Sequence, residues 1–178
     1  VKVSGDGFTA NTAVTLRVLE SGTAGNAVIA TGNVTDSRGR LVDARFTATE
    51  LKRPESARNV RAITPAATID STNTFRRSPS ITGLSPASGQ SGTSITVSGQ
   101  GFPSNLSTFQ VQVAGVAVTS VTTTEGTVSG GLITPTETGR ITASFTAPTL
   151  GTTGASAVKL VSGTESAQKS FIYSDPSQ

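Results

Sequence analysis

The feature that most constrains this chain is a nine-residue stretch that occurs twice. Val97-Ser98-Gly99-Gln100-Gly101-Phe102-Pro103-Ser104-Asn105 repeats Val3-Ser4-Gly5-Asp6-Gly7-Phe8-Thr9-Ala10-Asn11, with six of nine positions identical at an offset of 94. Self-similarity at a fixed spacing marks a tandem repeat, so one architecture must serve both halves. The match continues in order along the chain. Gly39-Arg40-Leu41-Val42-Asp43-Ala44-Arg45-Phe46 aligns with Gly139-Arg140-Ile141-Thr142-Ala143-Ser144-Phe145 across a one-residue gap. Val60-Arg61-Ala62-Ile63-Thr64 answers Val158-Lys159-Leu160-Val161-Ser162, and Phe75 answers Phe171.

The repeated blocks read as strands. Val14, Leu16 and Val18 alternate with Thr15 and Arg17, which places the apolar residues on one face of an extended segment. Phe109, Val111 and Val113 do the same in the second repeat. Ile141, Ala143 and Phe145 continue the pattern less cleanly, and a bulge is expected there. Turns are expected at Ser37-Arg38-Gly39, Glu125-Gly126, Thr138-Gly139 and Ser162-Gly163. Gly99 and Gly101 are expected to reverse the chain with positive φ, so that Phe102 folds back over the sandwich end, and Phe8 should be buried equivalently. Pro86 and Gly89 suit a kink where a first strand passes from one sheet to the other.

Composition supports the strand reading: Thr, Ser, Gly, Ala and Val dominate, and charged residues are only 14% of the 178. That length suits two small domains of roughly 80–100 residues each. Residues 1–79 and 80–178 are the expected domains, because Pro79 interrupts a strand ladder and Ile81 begins a new unit after almost no linker. So short a joint is expected to hold the two in a restricted, end-to-end geometry. Residues 50–57 read as a surface loop or a single helical turn.

In the second repeat, three pieces stand in order. They are Ile81-Thr82-Gly83-Leu84-Ser85-Pro86-Ala87-Ser88-Gly89, then Gly92-Thr93-Ser94-Ile95-Thr96-Val97-Ser98-Gly99-Gln100-Gly101-Phe102, and a closing Phe171-Ile172-Tyr173. This resembles the IPT/TIG family of immunoglobulin-like domains, found in plexins, some transcription factors and many bacterial surface proteins. The resemblance implies an all-β fold of two tandem immunoglobulin-like β-sandwiches. It covers the second repeat throughout. The first repeat matches only from Val1 onward and carries Arg76-Arg77 where the closing aliphatic-Tyr pair would stand, so it is expected to lack its opening strand. Family membership implies no single function, since members bind DNA, bind receptors, accompany glycan-degrading enzymes or space other domains apart.

Catalysis is disfavoured. The chain has no Cys and no His, so Ser and Thr lack the usual activating base, and no motif pairs its carboxylates. Glu125 and Glu137 could converge in space, but they read as solvated turn residues. No D-x-D-x-D-G calcium pattern is present, Asp6 and Asp36 stand alone, and no metal or cofactor is expected. No apolar run approaches the ~18 residues of a membrane-spanning helix.

Residues 1–79 carry eleven Lys/Arg against seven Asp/Glu, while residues 80–178 carry three against four. Arg53, Arg58, Arg61, Arg76 and Arg77 define a possible docking surface for an acidic partner, against the simpler reading of solvated charge. Nucleic acid is disfavoured as a partner because the basic excess is small and the second repeat is slightly acidic. Glycan binding would lean on exposed aromatic platforms, and only Tyr173 and seven Phe are available. Asn33-Val34-Thr35 and Asn105-Leu106-Ser107 fit the glycosylation sequon, and Lys2, Lys159 or Lys169 could form an isopeptide cross-link with Asn.

The leading expectation is a non-enzymatic extracellular structural protein: a surface-layer, adhesin-stalk or filament unit. Its partners would be other copies of itself or neighbouring surface-protein domains. A glycan- or protein-binding accessory module is the first alternative and a nucleic-acid-binding pair the second. An incomplete first repeat would expose unpaired backbone and an apolar groove. Either residues preceding Val1 supply the missing strand, or a neighbour donates one, with a segment such as Ile81 to Leu84 exchanged between copies.

Overall fold

The computed structural model describes residues 1–19, 27–46, 58–104 and 108–174. All regular structure among them is β-strand. They divide into two compact units, one from Val1–Leu51 and Ser56–Arg76, the other from Arg77 onward. The expected loop or helical turn at 50–57 lies outside the described residues.

Unit 1 contains β1 (Lys2–Gly5), β2 (Ala13–Val18), β3 (Ala27–Val34), β4 (Leu41–Arg45), β5 (Arg58–Ile63) and β6 (Thr68–Phe75). One sheet runs β3-β2-β5-β6 and the other is the pair β1-β4. Alternation puts Val14, Leu16 and Val18 of β2 and Val60 and Ala62 of β5 inward, where they meet Leu41, Ala44 and Phe46.

Unit 2 contains β7 (Ser80–Ser85), β8 (Ser88–Gly89), β9 (Ser94–Gln100), β10 (Phe109–Val113), β11 (Val116–Val118), β12 (Val121–Glu125), β13 (Thr127–Ser129), β14 (Leu132–Thr134), β15 (Ile141–Thr146), β16 (Gly154–Ser162) and β17 (Glu165–Tyr173). Its sheets run β12-β15-β9-β7 and β13-β14-β10-β16-β17-β8, with β11 also paired to β10. The core between them includes Ile95, Val97, Phe102, Phe109, Val111, Ile141, Leu160 and Phe171. Phe102 meets Phe109 edge-on at 4.9 Å between ring centroids. The chain leaves one sheet for the other at Pro86, as expected: β7 pairs antiparallel with β9, and β8 pairs parallel with β17.

The repeat holds at the level of register. Gly5 sits opposite Leu41 as Gly99 sits opposite Ile141. Val18 faces Val60 as Val113 faces Val158. Phe8 N donates to Gly39 O at 3.1 Å, and Phe102 N donates to Gly139 O at 3.1 Å. Thus β1, β2, β4, β5 and β6 answer β9, β10, β15, β16 and β17.

The bulge expected around Ile141, Ala143 and Phe145 is found on the β12 side of β15, where the register shifts between Thr123 and Glu125 opposite Ala143 and Thr142, while the β15–β9 ladder is continuous. A second irregularity lies between β1 and β4, where Asp43, within the stretch that carries the one-residue gap, has φ 50°. Two expectations need correction. Only the second glycine of the motif has positive φ, Gly101 at 79° and Gly7 at 81°. Gly99 is an ordinary strand residue that must be small, since a Cβ there would lie 2.5 Å from the Phe102 ring and 2.8 Å from Ser80 O. Finally, Phe102 is fully buried but Phe8 is only half-buried. One reason is that Val14 stands in unit 1 where Phe109 stands in unit 2, so the ring that meets Phe102 has no counterpart at that position.

Candidate functional site

The other reason lies along the outer edge of β1. In unit 2, β9 is sandwiched between β15 and β7, with Ile81 opposite Gly99, Leu84 opposite Val97 and Ser85 opposite Thr96. In unit 1, β1 pairs with β4 alone among the described residues. No described strand of unit 1 answers β7 or β8. A groove of about 270 Å³ occupies the corresponding place, walled by Val1, Lys2, Val3 and Ser4 on one side and Ser71, Thr72, Asn73 and Thr74 on the other, with Val60 between.

Core positions beside this groove are uncovered in unit 1 and covered in unit 2. Val1, whose backbone pairs with Phe46, is 48% exposed, whereas Ile95 at the equivalent position is fully buried. Ile69 lies opposite Ala62 on the inner face and is 40% exposed, whereas its counterpart Ala167 is 7% exposed. Glycines report the same difference. A Cβ at Gly101 would lie 2.5 Å from Ser78 O, yet a Cβ at Gly7 would meet nothing within 4 Å. The chain that enters unit 2 covers its glycine turn, and no described residue does so in unit 1.

The far wall is itself irregular. Between Asn59 and Arg61 the β5–β6 register shifts, because residues 71–73 stand where Lys169 alone stands in unit 2. Ser71 holds that loop-out in place: its hydroxyl accepts from Val60 N at 2.9 Å and donates to Asn73 O at 2.6 Å. The β6 wall, Ser71 to Thr74, is therefore polar and neutral, while the β1 wall is mixed, with Val1 and Val3 beside Lys2, which pairs with Asp43 at 3.2 Å.

The five arginines expected to form a docking surface do not share one environment. Arg58 is 5% exposed, because it shares the inward face of β5 with Val60 and Ala62, so its charge is not offered to a partner. That alternation was readable in the sequence. Arg61 is engaged by Asp70 through two bonds of 2.6 and 2.9 Å, which raise the Arg61 pKa and hold the Asp70 carboxyl below its ordinary value. Arg76 is exposed, just past the end of β6. Arg77 is half-buried, and burial, followed by repulsion from Arg140, lowers its pKa. Arg53 lies outside the described residues. Ile81 and Leu84 are half-buried in β7 and pack against the unit 2 core.

Glu125 is occupied, accepting from Thr142 Oγ1 at 2.6 Å and pairing with Arg140 at 3.0 Å, while Glu137 is exposed. Among the described residues no group of three or more acidic side chains could hold a metal ion. No helix among them is long and apolar enough to cross a membrane. Tyr173 is 4% exposed and its hydroxyl donates to Pro148 O at 3.0 Å, so it is no flat platform for a sugar, and burial raises its pKa. The Asn33 sequon is compromised because the Thr35 hydroxyl is buried, donating to Thr9 O at 2.7 Å. Asn105 lies outside the described residues. Lys2 and Lys169 are engaged by Asp43 and by Thr82 O rather than by an asparagine.

Among solved structures, the chain is similar to SGBP-B from a complex xyloglucan utilization locus in Bacteroides uniformis, at 18% identity and a TM-score of 0.38, over 97% of this chain and 44% of that one. It is similar to the N-terminal four Ig domains of Dscam1 isoform 8.4 at 12% identity and a TM-score of 0.35, over 97% of this chain and 40% of that one. For the extracellular portion of mouse CD200RLa the identity is 10% and the TM-score 0.33, over 97% and 94% of the two chains. The chain spans less than half the length of the first two. A comparison with curated proteins finds no match. Identities and TM-scores this low carry no argument about function. The family described as IPT/TIG domain matches residues 79–173, which runs from Pro79 ahead of β7 to the closing Tyr173 and is more than half of the 178 residues. With its opening strand, glycine turn and closing strand all within that match, the chain belongs to the IPT/TIG family.

Proposed function

We propose that the chain is a non-enzymatic structural part of an extracellular or cell-surface protein, with residues 1–79 and 80–178 as its two domains. In this reading the second domain is a self-contained spacer and the first is a joint that an additional strand completes. Such a part suits a surface layer, an adhesin stalk or a filament, where neighbouring surface domains or other copies are the partners. The observation that carries the reading is the contrast between β9, paired on both edges, and β1, paired on one. An unpaired edge beside uncovered apolar residues is a liability in an isolated domain and an asset in an assembling one. Glycan and nucleic-acid binding receive no comparable support, since Tyr173 is enclosed, Arg58 is buried and Arg61 is neutralised by Asp70.

Calorimetry of the whole chain tests this. Two transitions are expected, with unit 1 unfolding first because β1 is paired on one edge alone among the described residues. A single transition, with the NMR signals of both units lost together, would contradict the division into spacer and joint.

A further inference from the structure

We propose that the glycine-turn end of unit 2 holds a carboxylate-binding site, formed by Arg77 and Arg140 with Gln100 beside them, which takes an acidic side chain of a neighbouring polypeptide. The site belongs to unit 2 alone, while the choice of a polypeptide as the source of the carboxylate rests on the structural reading above. Backbone contacts bring the residues together. Phe102 N donates to Gly139 O at 3.1 Å, which sets Arg140, the next residue, beside the turn. Ile141 lies opposite Gly99, so Arg140 stands one step further along, next to Gln100. On the other side Ser80 lies opposite Gln100, and the chain ahead of it crosses the turn, so that a Cβ on Gly101 would lie 2.5 Å from Ser78 O and 3.6 Å from Arg77 Cβ. Alternation along β9 turns Gln100 to the outer face of the sheet, with Ser98 and Thr96, and away from the core.

The charges at this place do not balance. In unit 1, Arg40 holds the position of Arg140 and is answered within its own turn by Asp36 at 3.0 Å. In unit 2, Thr136 stands where Asp36 stands, and Arg140 reaches instead to Glu125 at 3.0 Å. Arg77 is then a second guanidinium with no ion pair or hydrogen bond of its own among the described residues, half-buried and close enough to Arg140 to be repelled by it. A partly desolvated cation facing a like charge is stabilised by an anion that meets both. Two guanidiniums sharing one carboxylate leave a single positive charge, which calls for a monoanion. Glu125 would repel a phosphate dianion more strongly, whereas a planar carboxylate fits the flat guanidinium fork. Because Arg77 is half-buried, the carboxylate must arrive on a slim stem, which an acidic side chain has and the ring of a uronic acid lacks. Glu125 and, in unit 1, Asp36 already serve arginines in this way.

Acetate titrated into the whole chain at constant ionic strength, with the arginine Nε–H signals followed by NMR, tests the site. Saturable shifts are expected at Arg77, Arg140 and the Gly101 amide, while Arg40 stays unresponsive because Asp36 already engages it. Arg77→Gln should weaken binding at least about tenfold, through loss of one charge-assisted fork. Glu125→Gln removes the competing carboxylate and should tighten binding, a gain that a merely damaged fold would not produce. Acetyl-Gly-Glu-Gly-amide and galacturonate then separate the sources of the carboxylate, and the peptide should bind the more tightly. Shifts spread evenly over Arg40, Arg77 and Arg140 would overturn the site, as would binding untouched by Arg77→Gln or no gain from Glu125→Gln. Galacturonate binding as tightly as the peptide would overturn its assignment to a polypeptide. Absence of acetate binding beside two calorimetric transitions sinks this inference alone. A single transition with the acetate site intact sinks the structural reading and not the site.

Discussion

In both units a phenylalanine reaches back from a glycine turn and its amide bonds to the carbonyl of a second glycine, Gly39 or Gly139, at 3.1 Å. The two positions nevertheless carry different loads. Phe102 is fully buried with its ring edge-on to Phe109, while Phe8 is half-buried against the unit 1 core, beside an edge of β1 that no described strand pairs. The same nine-residue motif thus builds a closed sandwich end in one setting and an open one in the other. What differs is not the motif but what passes over it.

The largest expected effect comes from the phenylalanines. Phe102→Ala should cost about 3–5 kcal/mol, and Phe8→Ala about 1–2 kcal/mol, because only the first empties a fully buried site. Urea unfolding monitored by NMR signals from each unit separates the two. Equal losses would mean that Phe8 is as enclosed as Phe102 and that the open edge is not open.

The glycines sharpen the comparison without removing any packing. Gly99→Ala places a methyl 2.5 Å from the Phe102 ring and 2.8 Å from Ser80 O, while Gly5→Ala meets only the Phe8 ring at 3.4 Å. The former should destabilise unit 2 by about 1–3 kcal/mol, and the latter should change unit 1 by no more than about 0.5 kcal/mol. A large loss at Gly5 would place a strand over it that the described residues do not include.

A smaller difference separates the turns that receive the two phenylalanines. Asp36 N donates to Arg40 O as Thr136 N donates to Arg140 O, at 2.8 and 3.0 Å. Asp36 Oδ1 accepts from Arg40 N and Arg38 N, and Thr136 Oγ1 accepts from Arg140 N. The Arg40 amide is the largest of the influences that hold the Asp36 carboxyl below its ordinary value of 3.8. Its contribution is therefore complete above that value and fades as the pH drops through the lower pKa of the folded turn. Relative to the intrinsic exchange rate at each pH, the Arg38 and Arg40 amides should lose protection in acid while Arg140 does not, since Thr136 has no proton to gain. Equal acid sensitivity in the two turns would remove Asp36 as the cause.

Much of this was legible in the residues themselves. Repeat matching predicts the strand partners correctly because register follows from where the inward residues fall: Val60 and Val158 face equivalent valines. The opening strand, kink and closing strand of unit 2 are written in Ile81, Pro86 and Phe171. What sequence could not distinguish is why a glycine is present. Gly101 is required by its backbone angle and Gly99 by a ring and a carbonyl that press on it, and both read simply as Gly. The exposure of Phe8 depends on Val14 and on a strand position elsewhere in the fold, so no local pattern reveals it. Arg58 departs from the docking surface for a different reason: the two-residue period of β5 groups it with Val60 and Ala62 on the inward face, whatever charge it carries.

Residue-resolved hydrogen exchange tests the central claim most directly, because it compares β1 and β9 within one molecule. Alternate amides of β1, those not bonded to β4, should exchange as freely as surface loops, while both sets of β9 amides stay protected by β15 and β7. Protection of every β1 amide to the level of β9, with no added strand, would show that the edge is already filled and would contradict the account.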